Sequence, residues 1–170
     1  MTCSERHGLP EVICNTSPLQ YLHQLGILHI FPTLATRVII PPAVVEELRV
    51  GRELGISLPD AMRLNWVVTR RPVSASALPL VTDLGPGEVE VLMLALESTD
   101  PIVVLDDILA RRMAQSLGLR LTGTLGLLLD AKRAGLVQAI KPFLDQLQSL
   151  RFRLAPHTRA AVLKLAGEEP

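Results

Sequence analysis

The sequence predicts an α/β fold with a central, mainly parallel sheet flanked by helices. Two observations carry this. Short runs of β-branched residues alternate along the whole chain with longer segments of helical periodicity, the pattern of strands joined by crossover helices. One of the runs, over 101–105, also reads as a buried strand, as the strands of a parallel sheet covered on both faces are.

The first strand is read at Glu11–Cys14, where Val12-Ile13-Cys14 is a continuous apolar run. Ser17 and Pro18 then supply an N-cap and a first-turn proline for a helix over 17–25, which Gly26 ends. A short helical piece over 28–34 precedes a second strand, Arg37–Ile40, closed by Pro41-Pro42. Residues 43–50 read as a helix, 51–63 as a loop holding a short helix, 66–69 as a strand, and 72–83 as a Ser/Pro/Ala-rich connection.

Gly85-Pro86-Gly87-Glu88 starts the next helix: proline belongs in the first turn, and a carboxylate there favours the positive end of the helix dipole. This helix runs to about residue 98. A buried strand over 101–105 ends in Asp106-Asp107. In the helix that follows, Leu109, Met113 and Leu117 recur every four residues as one apolar stripe, with Arg111, Arg112 and Gln115 turned away from it. Arg120–Thr122 is the last strand, Gly123-Thr124 starts a helix that Gly135 ends, and two helices near 138–149 and 157–166 complete the chain. The organisation is one domain over 1–170, with its core at about 11–134 and a C-terminal helical extension at about 138–166.

Composition narrows the function. The 170 residues are 48% hydrophobic and 20% charged, with mean hydropathy +0.34, which excludes disorder as the main state. Tyr21, Phe31, Trp66, Phe143 and Phe152 are the only aromatics, too few for a surface that stacks successive single-stranded bases. No run approaches the roughly 20 apolar residues that span a bilayer, and the start MTCSERHGLPE has no long apolar segment, so no membrane partner is expected. Cys3 and Cys14 form no framework and no metal-binding spacing; Cys14 reads as a buried small hydrophobe, and a reducing cytoplasm suits both.

The net charge of zero hides an asymmetry. Residues 1–107 hold 7 Lys/Arg against 13 Asp/Glu, and residues 108–170 hold 10 against 4. Such a division accompanies nucleic-acid contact, or a basic set of helices that neutralises acidic neighbours. Arg111, Arg112, Arg120, Lys132 and Arg133 are candidates for an RNA track, with a solvated helix face as the alternative. The Thr122-Gly123-Thr124 turn places amides at a helix start, where Thr124 either helps to hold a phosphate or simply caps.

In a parallel sheet, ligands bind beyond the carboxyl ends of the strands. That rule selects Asn15-Thr16-Ser17 after the first strand, Asp106-Asp107 after a later one, Glu46-Glu47 on the second crossover helix, and Glu88 at a helix start. A carboxylate cluster repels itself without a cation, and hard oxygen donors lacking His or Cys select magnesium or manganese. A metal held so suits in-line attack on a phosphodiester. Each residue alone also has a plain structural role as a cap or a solvated helix residue.

The segments NTSPL (15–19), IIPPAVVEEL (39–48), LGPGEVEVLMLAL (84–96), VVLDD (103–107) with Ala110-Arg111-Arg112, and GLRLTGTLGLLL (118–129) together resemble PIN-domain proteins, in the prokaryotic group related to VapC-type toxins. The resemblance covers about 12–165. It implies a Rossmann-like PIN fold and a Mg2+- or Mn2+-dependent endoribonuclease, as the dimeric toxin of a toxin–antitoxin pair held inactive by its cognate antitoxin protein. The family's catalytic, metal-binding acids fall on Asn15, Glu47, Glu88 and Asp107, with Asp106 hard to separate from Asp107, and Glu47 fitting better than Glu46. Thr16 and Ser17 match the small hydroxyl residues that follow the first acid.

One position departs from the pattern: Asn15 stands where the family has aspartate. The amide is neutral, so the site loses one negative charge and metal affinity should fall, by more than tenfold if the attraction is the roughly 4 kcal/mol of a pair of charges 4 Å apart at an effective dielectric near 20. Weak or absent nuclease activity is expected, which leaves a catalytically disabled RNA- or antitoxin-binding module as the alternative. A nucleotide-binding Rossmann enzyme is disfavoured, since neither G-x-G-x-x-G nor a Walker lysine is present. His23, His29 and His157 lie on apolar helices and give no support to a His-dependent mechanism. The leucine excess is read as covered by a homodimer interface over 18–34 and 43–63.

Overall fold

The computed structural model of the protein describes residues 9–74 and 83–169. Cys3 and most of the 72–83 connection lie outside the described residues. Among these residues five parallel strands form one sheet in the order β3-β2-β1-β4-β5, with β1 Glu11–Cys14, β2 Arg37–Ile40, β3 Val67–Thr69, β4 Ile102–Val104 and β5 Arg120–Thr122. The central strands explain the apolar runs: Ile13, Ile39 and Val103 are all fully buried, and Ile13 pairs in register with both of the others. The edge strands β3 and β5 are three residues long and partly exposed, with Arg120 opening β5. Short, charged edges resist pairing with another chain.

Among the described residues eight α-helices flank the sheet: α1 Thr16–Gln24, α2 Phe31–Leu34, α3 Pro42–Glu53, α4 Pro86–Glu97, α5 Ile108–Ser116, α6 Thr124–Arg133, α7 Lys141–Ser149 and α8 Pro156–Leu165. Helix α4 packs on β1, β4 and α3, α1 on α3 and α6, and α8 on α6. The Phe31 ring stacks on Trp66 at 5.8 Å, fastening α2 to the start of β3. Among the described residues no helix is long and apolar enough to cross a membrane. Cys14 is buried, and its burial raises the thiol well above its ordinary value.

The structure corrects three local expectations. Helix α1 starts at Thr16 with Asn15, not Ser17, at its N-cap position, and the Asn15 side chain caps nothing. Helix α3 continues past residue 50 to Glu53, because Gly51 is buried in the helix at a place where a Cβ would lie 2.3 Å from the Leu58 side chain. The 43–50 helix and the 51–63 loop are therefore divided three residues later than the sequence indicates. In α5 the fully buried residues are Ala110 and Ala114; Met113 of the expected stripe packs against the core in part, while Leu109 is exposed, so the stripe is not the most buried face. Small side chains let α5 lie close to the sheet.

Helix ends show a pattern that bears on the site. After α1, α3, α5, α6 and α8 the chain turns through a glycine with φ between +70° and +83°. After α7 the same position is Arg151, at φ +64°. Its N–H donates to Gln148 at 3.1 Å and that of Phe152 to Leu147 at 2.9 Å, which is the Schellman closure. A residue with a Cβ loses about 1–2 kcal/mol in this left-handed region.

Candidate functional site

Strand order reverses between β1 and β4: the chain runs outward through β2 and β3 on one side and through β5 on the other. Crevices form beyond the carboxyl ends of strands at such a point. Asn15 directly follows β1, and its N–H donates to Val104 at 3.1 Å, carrying the β1–β4 pairing one residue further.

Asn15 is 2% exposed. Its Nδ2 donates to Glu88 Oε1 at 2.8 Å, which ties the end of β1 to the first turn of α4. Its Oδ1 is buried and has no hydrogen-bond partner. Glu47, from the middle of α3, accepts from the Gly87 N–H at 3.0 Å through Oε1 and from the Thr16 hydroxyl through Oε2. A Cβ on Gly87 would lie 2.7 Å from Asn15 Oδ1 and 2.8 Å from each Glu47 oxygen. Only glycine fits against three oxygen atoms so placed. Glu46 points elsewhere, to an exposed ion pair with Arg49 at 2.6 Å.

The two aspartates after β4 separate. Asp107 occupies the N-cap of α5 and accepts from the Ala110 N–H at 2.8 Å. Asp106 turns to the start of α6, accepting from Thr124 N–H at 2.8 Å and from its hydroxyl at 2.6 Å. Burial pushes the Asp106 carboxyl up from the usual carboxylate range, against the opposing pull of the Thr124 bonds and of Arg111. The helix start at Thr122-Gly123-Thr124 is thus met by a carboxylate of the chain itself. Glu88, Asp106, Asp107 and Ser17 line one cavity of about 460 Å³, shared with Tyr21.

Asn15, Thr16, Glu47 and Glu88 therefore form one bonded cluster, and Ser17, Asp106 and Asp107 reach it through the cavity that Glu88 also lines. Among the described residues no group of three or more His, Cys, Asp or Glu side chains is arranged to hold a metal ion. The donor set explains why it fits a hard divalent cation poorly. Asn15 is neutral, so the set carries one negative charge fewer than four acids would, and its Nδ2 turns a donor, not a ligand, toward Glu88.

The basic residues expected along α5 and α6 mostly bind within the chain. Arg111 donates to the Leu105 and Thr122 carbonyls at 2.8 and 3.2 Å, clamping the ends of β4 and β5. Arg120 pairs with Asp100, Lys132 with Glu168 and Arg133 with Asp130, at 2.8, 2.6 and 3.1 Å. Arg112 is exposed. Of the segments expected at a dimer interface, 18–34 buries its apolar side chains Leu19, Leu22, Ile30 and Phe31 in the core, while Val50, Leu54, Ile56 and Met62 remain exposed.

Sequence reasoning missed two features. Gly87 is legible in the sequence only as part of a helix start, and its close approach to Asn15 and Glu47 leaves no local signal. Arg151, Phe152 and Arg153 line the same cavity as the carboxylates, and Arg153 also lines an adjoining one of about 780 Å³ beside Arg111 and Gly123. The visible signal was two arginines flanking an aromatic where a helix-ending glycine is usual.

The sequence model of the PIN domain family matches residues 11–168 of the chain. No curated protein matches it.

Proposed function

The chain belongs to the PIN-domain family, and from that premise we propose that it is a PIN-fold RNA-binding module whose acidic centre is disabled for hydrolysis. The observation that carries this reading is the 2.8 Å bond from Asn15 Nδ2 to Glu88. A side chain that donates to a neighbouring acid occupies the place of one that would join it in binding a cation. The fold and its crevice are retained, and the charge that holds a metal there is reduced by one.

The test is incubation of a mixed RNA pool with magnesium, then manganese, with EDTA, Asp107→Asn and Asn15→Asp arms, alongside a binding titration. RNA is expected to bind, and cleavage to appear only in Asn15→Asp. Cleavage by the native chain that vanishes in EDTA and in Asp107→Asn would overturn this reading. It would establish the second one, a slow Mg2+- or Mn2+-dependent ribonuclease of the toxin type working through Asn15, Glu47, Glu88 and Asp107. That second reading draws support from the unpartnered Asn15 Oδ1 beside both Glu47 oxygens.

In either case the proposed setting is a cytoplasmic PIN-like unit spanning the chain, with a cognate antitoxin as its protein partner. A second copy would cover Val50, Leu54, Ile56 and Met62, which are exposed at the end of α3 and after it. Sedimentation that finds a monomer at high concentration removes the second copy.

A further inference from the structure

Arg151 and Arg153 flank Phe152 in the segment joining α7 to α8, and all three line the cavity that holds Glu88, Asp106 and Asp107. Phe152 fixes this segment. Its ring meets Tyr21 of α1 edge-on, with centroids 5.0 Å apart and planes at 86°, and its N–H is held by Leu147. The two guanidinium groups on either side are exposed, and among the described residues neither side chain forms an ion pair or hydrogen bond. Other arginines are engaged within the chain: Arg111 clamps two strand ends, Arg120 holds Asp100 and Arg159 holds Asp145.

Arg151 also closes α7 at φ +64° where five other described helices close through a glycine; Asp100, after α4, is the other described non-glycine residue with positive φ, at +47°. Strain of this kind persists where the side chain has a use. The cavity it faces carries both signs of charge without a direct bond between them, as the nearest acids are held by Asn15, Ala110 and Thr124. A nucleotide matches such a lining: its phosphate suits the guanidinium fork, and its ribose hydroxyl and base amino groups are donors for the carboxylates. An acidic peptide would offer carboxylates to both.

We propose that Arg151 and Arg153 clamp the phosphodiester backbone of single-stranded RNA in the cavity lined by Glu88 and Asp107. The proposal rests on the RNA-binding reading above and assigns its backbone contacts to the α7–α8 segment rather than to α5 and α6.

The test titrates a short mixed-sequence single-stranded RNA, at several salt concentrations, against the native chain, Arg151→Gly, Arg153→Ala and, as a charge control, Lys164→Ala on α8. Arg151→Gly and Arg153→Ala are each expected to weaken binding about fivefold, the worth of one charge-assisted contact. Each should also make the log–log salt dependence shallower by about 0.7, while Lys164→Ala changes neither. Arg151→Gly should meanwhile melt about 2–4 °C higher, since glycine relieves the left-handed position. Lost binding in a more stable protein is not an effect of unfolding.

Native RNA binding with unchanged affinity and slope in both variants overturns the clamp and leaves the RNA-binding reading standing. No RNA binding by the native chain overturns both. Tighter binding of a glutamate-rich peptide of equal charge, dependent on the same two arginines, overturns the clamp in favour of an acidic protein partner.

Discussion

Asn15 and Glu88 are 73 residues apart in sequence and joined by one amide-to-carboxylate hydrogen bond of 2.8 Å. Asn15 is 2% exposed and Glu88 half-buried, so the bond lies at the inner wall of the cavity, with a neutral donor among the acidic residues. Asn15→Asp replaces the donor with a second acceptor facing Glu88. Loss of the bond and the new repulsion should cost about 1–3 kcal/mol without metal, read as a fall in Tm of a few degrees. Magnesium or manganese should restore much of that fall in the variant while leaving the native chain nearly unmoved. A variant whose Tm matches the native one in EDTA would show that the amide does not hold the two elements together.

Asp107 has a structural duty apart from any chemistry, because it caps α5 through Ala110. Asp107→Ala should therefore lose about 1 kcal/mol, the usual worth of an N-cap. Asp107→Ser removes the acid but keeps an acceptor at the cap, so its stability should stay close to native. Equal losses in urea denaturation for Ala and Ser would assign the cost to the charge instead.

Gly123 joins β5 to α6 at a place with no room for a side chain. A Cβ there would lie 2.8 Å from Asp106 Oδ1, 2.9 Å from Arg111 Nη1 and 2.9 Å from the Leu105 carbonyl. These three groups are themselves bonded, so they cannot simply swing aside. Gly123→Ala is expected to destabilise by about 1–3 kcal/mol, the range for overpacking a tight site. An unchanged denaturation midpoint would mean that the strand-to-helix junction yields freely.

Glu168 fastens the end of the chain. It accepts from Lys132 Nζ at 2.6 Å and from the Ile140 and Lys141 N–H groups at 2.7 and 3.0 Å. Burial pushes its carboxyl up, but these donors outweigh burial and hold it below its ordinary value of 4.5. A folded-state value below the unfolded one gives stability that is present above 4.5 and disappears as pH falls through the folded value. Glu168→Gln should thus be less stable than native by about 1–3 kcal/mol at neutral pH. The two proteins should converge as the pH is lowered below 4.5, and a gap that persists in acid would trace the loss to shape rather than charge.

The parts of the fold legible in the sequence were those set by local pattern. The runs that became β1, β2 and β4 are apolar because both sheet faces are covered, and Pro86 and Gly123 mark helix starts through their backbone chemistry. What was misread depended on contacts made across the fold. Ser17 reads as the cap of α1, yet the helix starts at Thr16 and the N-cap position falls to Asn15, whose amide is drawn to Glu88. Gly51 reads as a helix end, yet it is a notch for Leu58. Leu109 reads as core, yet the close approach of α5 to the sheet favours Ala110 and Ala114.

The candidate site was legible as a set of residues, since the polar ends of parallel strands fall on one edge. Its bonding was not, because the choice of donor for each oxygen depends on side-chain conformations in α1, α3 and α4 together. The same holds for Arg151: its left-handed conformation follows from α7 ending at Ser149 and from the bonds that close the turn behind it.

The strand that comes first in the chain lies in the middle of the sheet. Val12 is in register with Val38 on one side and with Ile102 on the other, roughly 90 residues later. During synthesis β1 acquires its first neighbour early and then waits, one edge bare, until β4 has emerged from the ribosome. A chain broken off before residue 102 keeps an apolar, unpaired edge that β4 would have covered, and such edges recruit strands from other molecules. Truncated products should therefore be the aggregating species, and the pace of translation between β3 and β4 should govern how much intact protein a cell recovers.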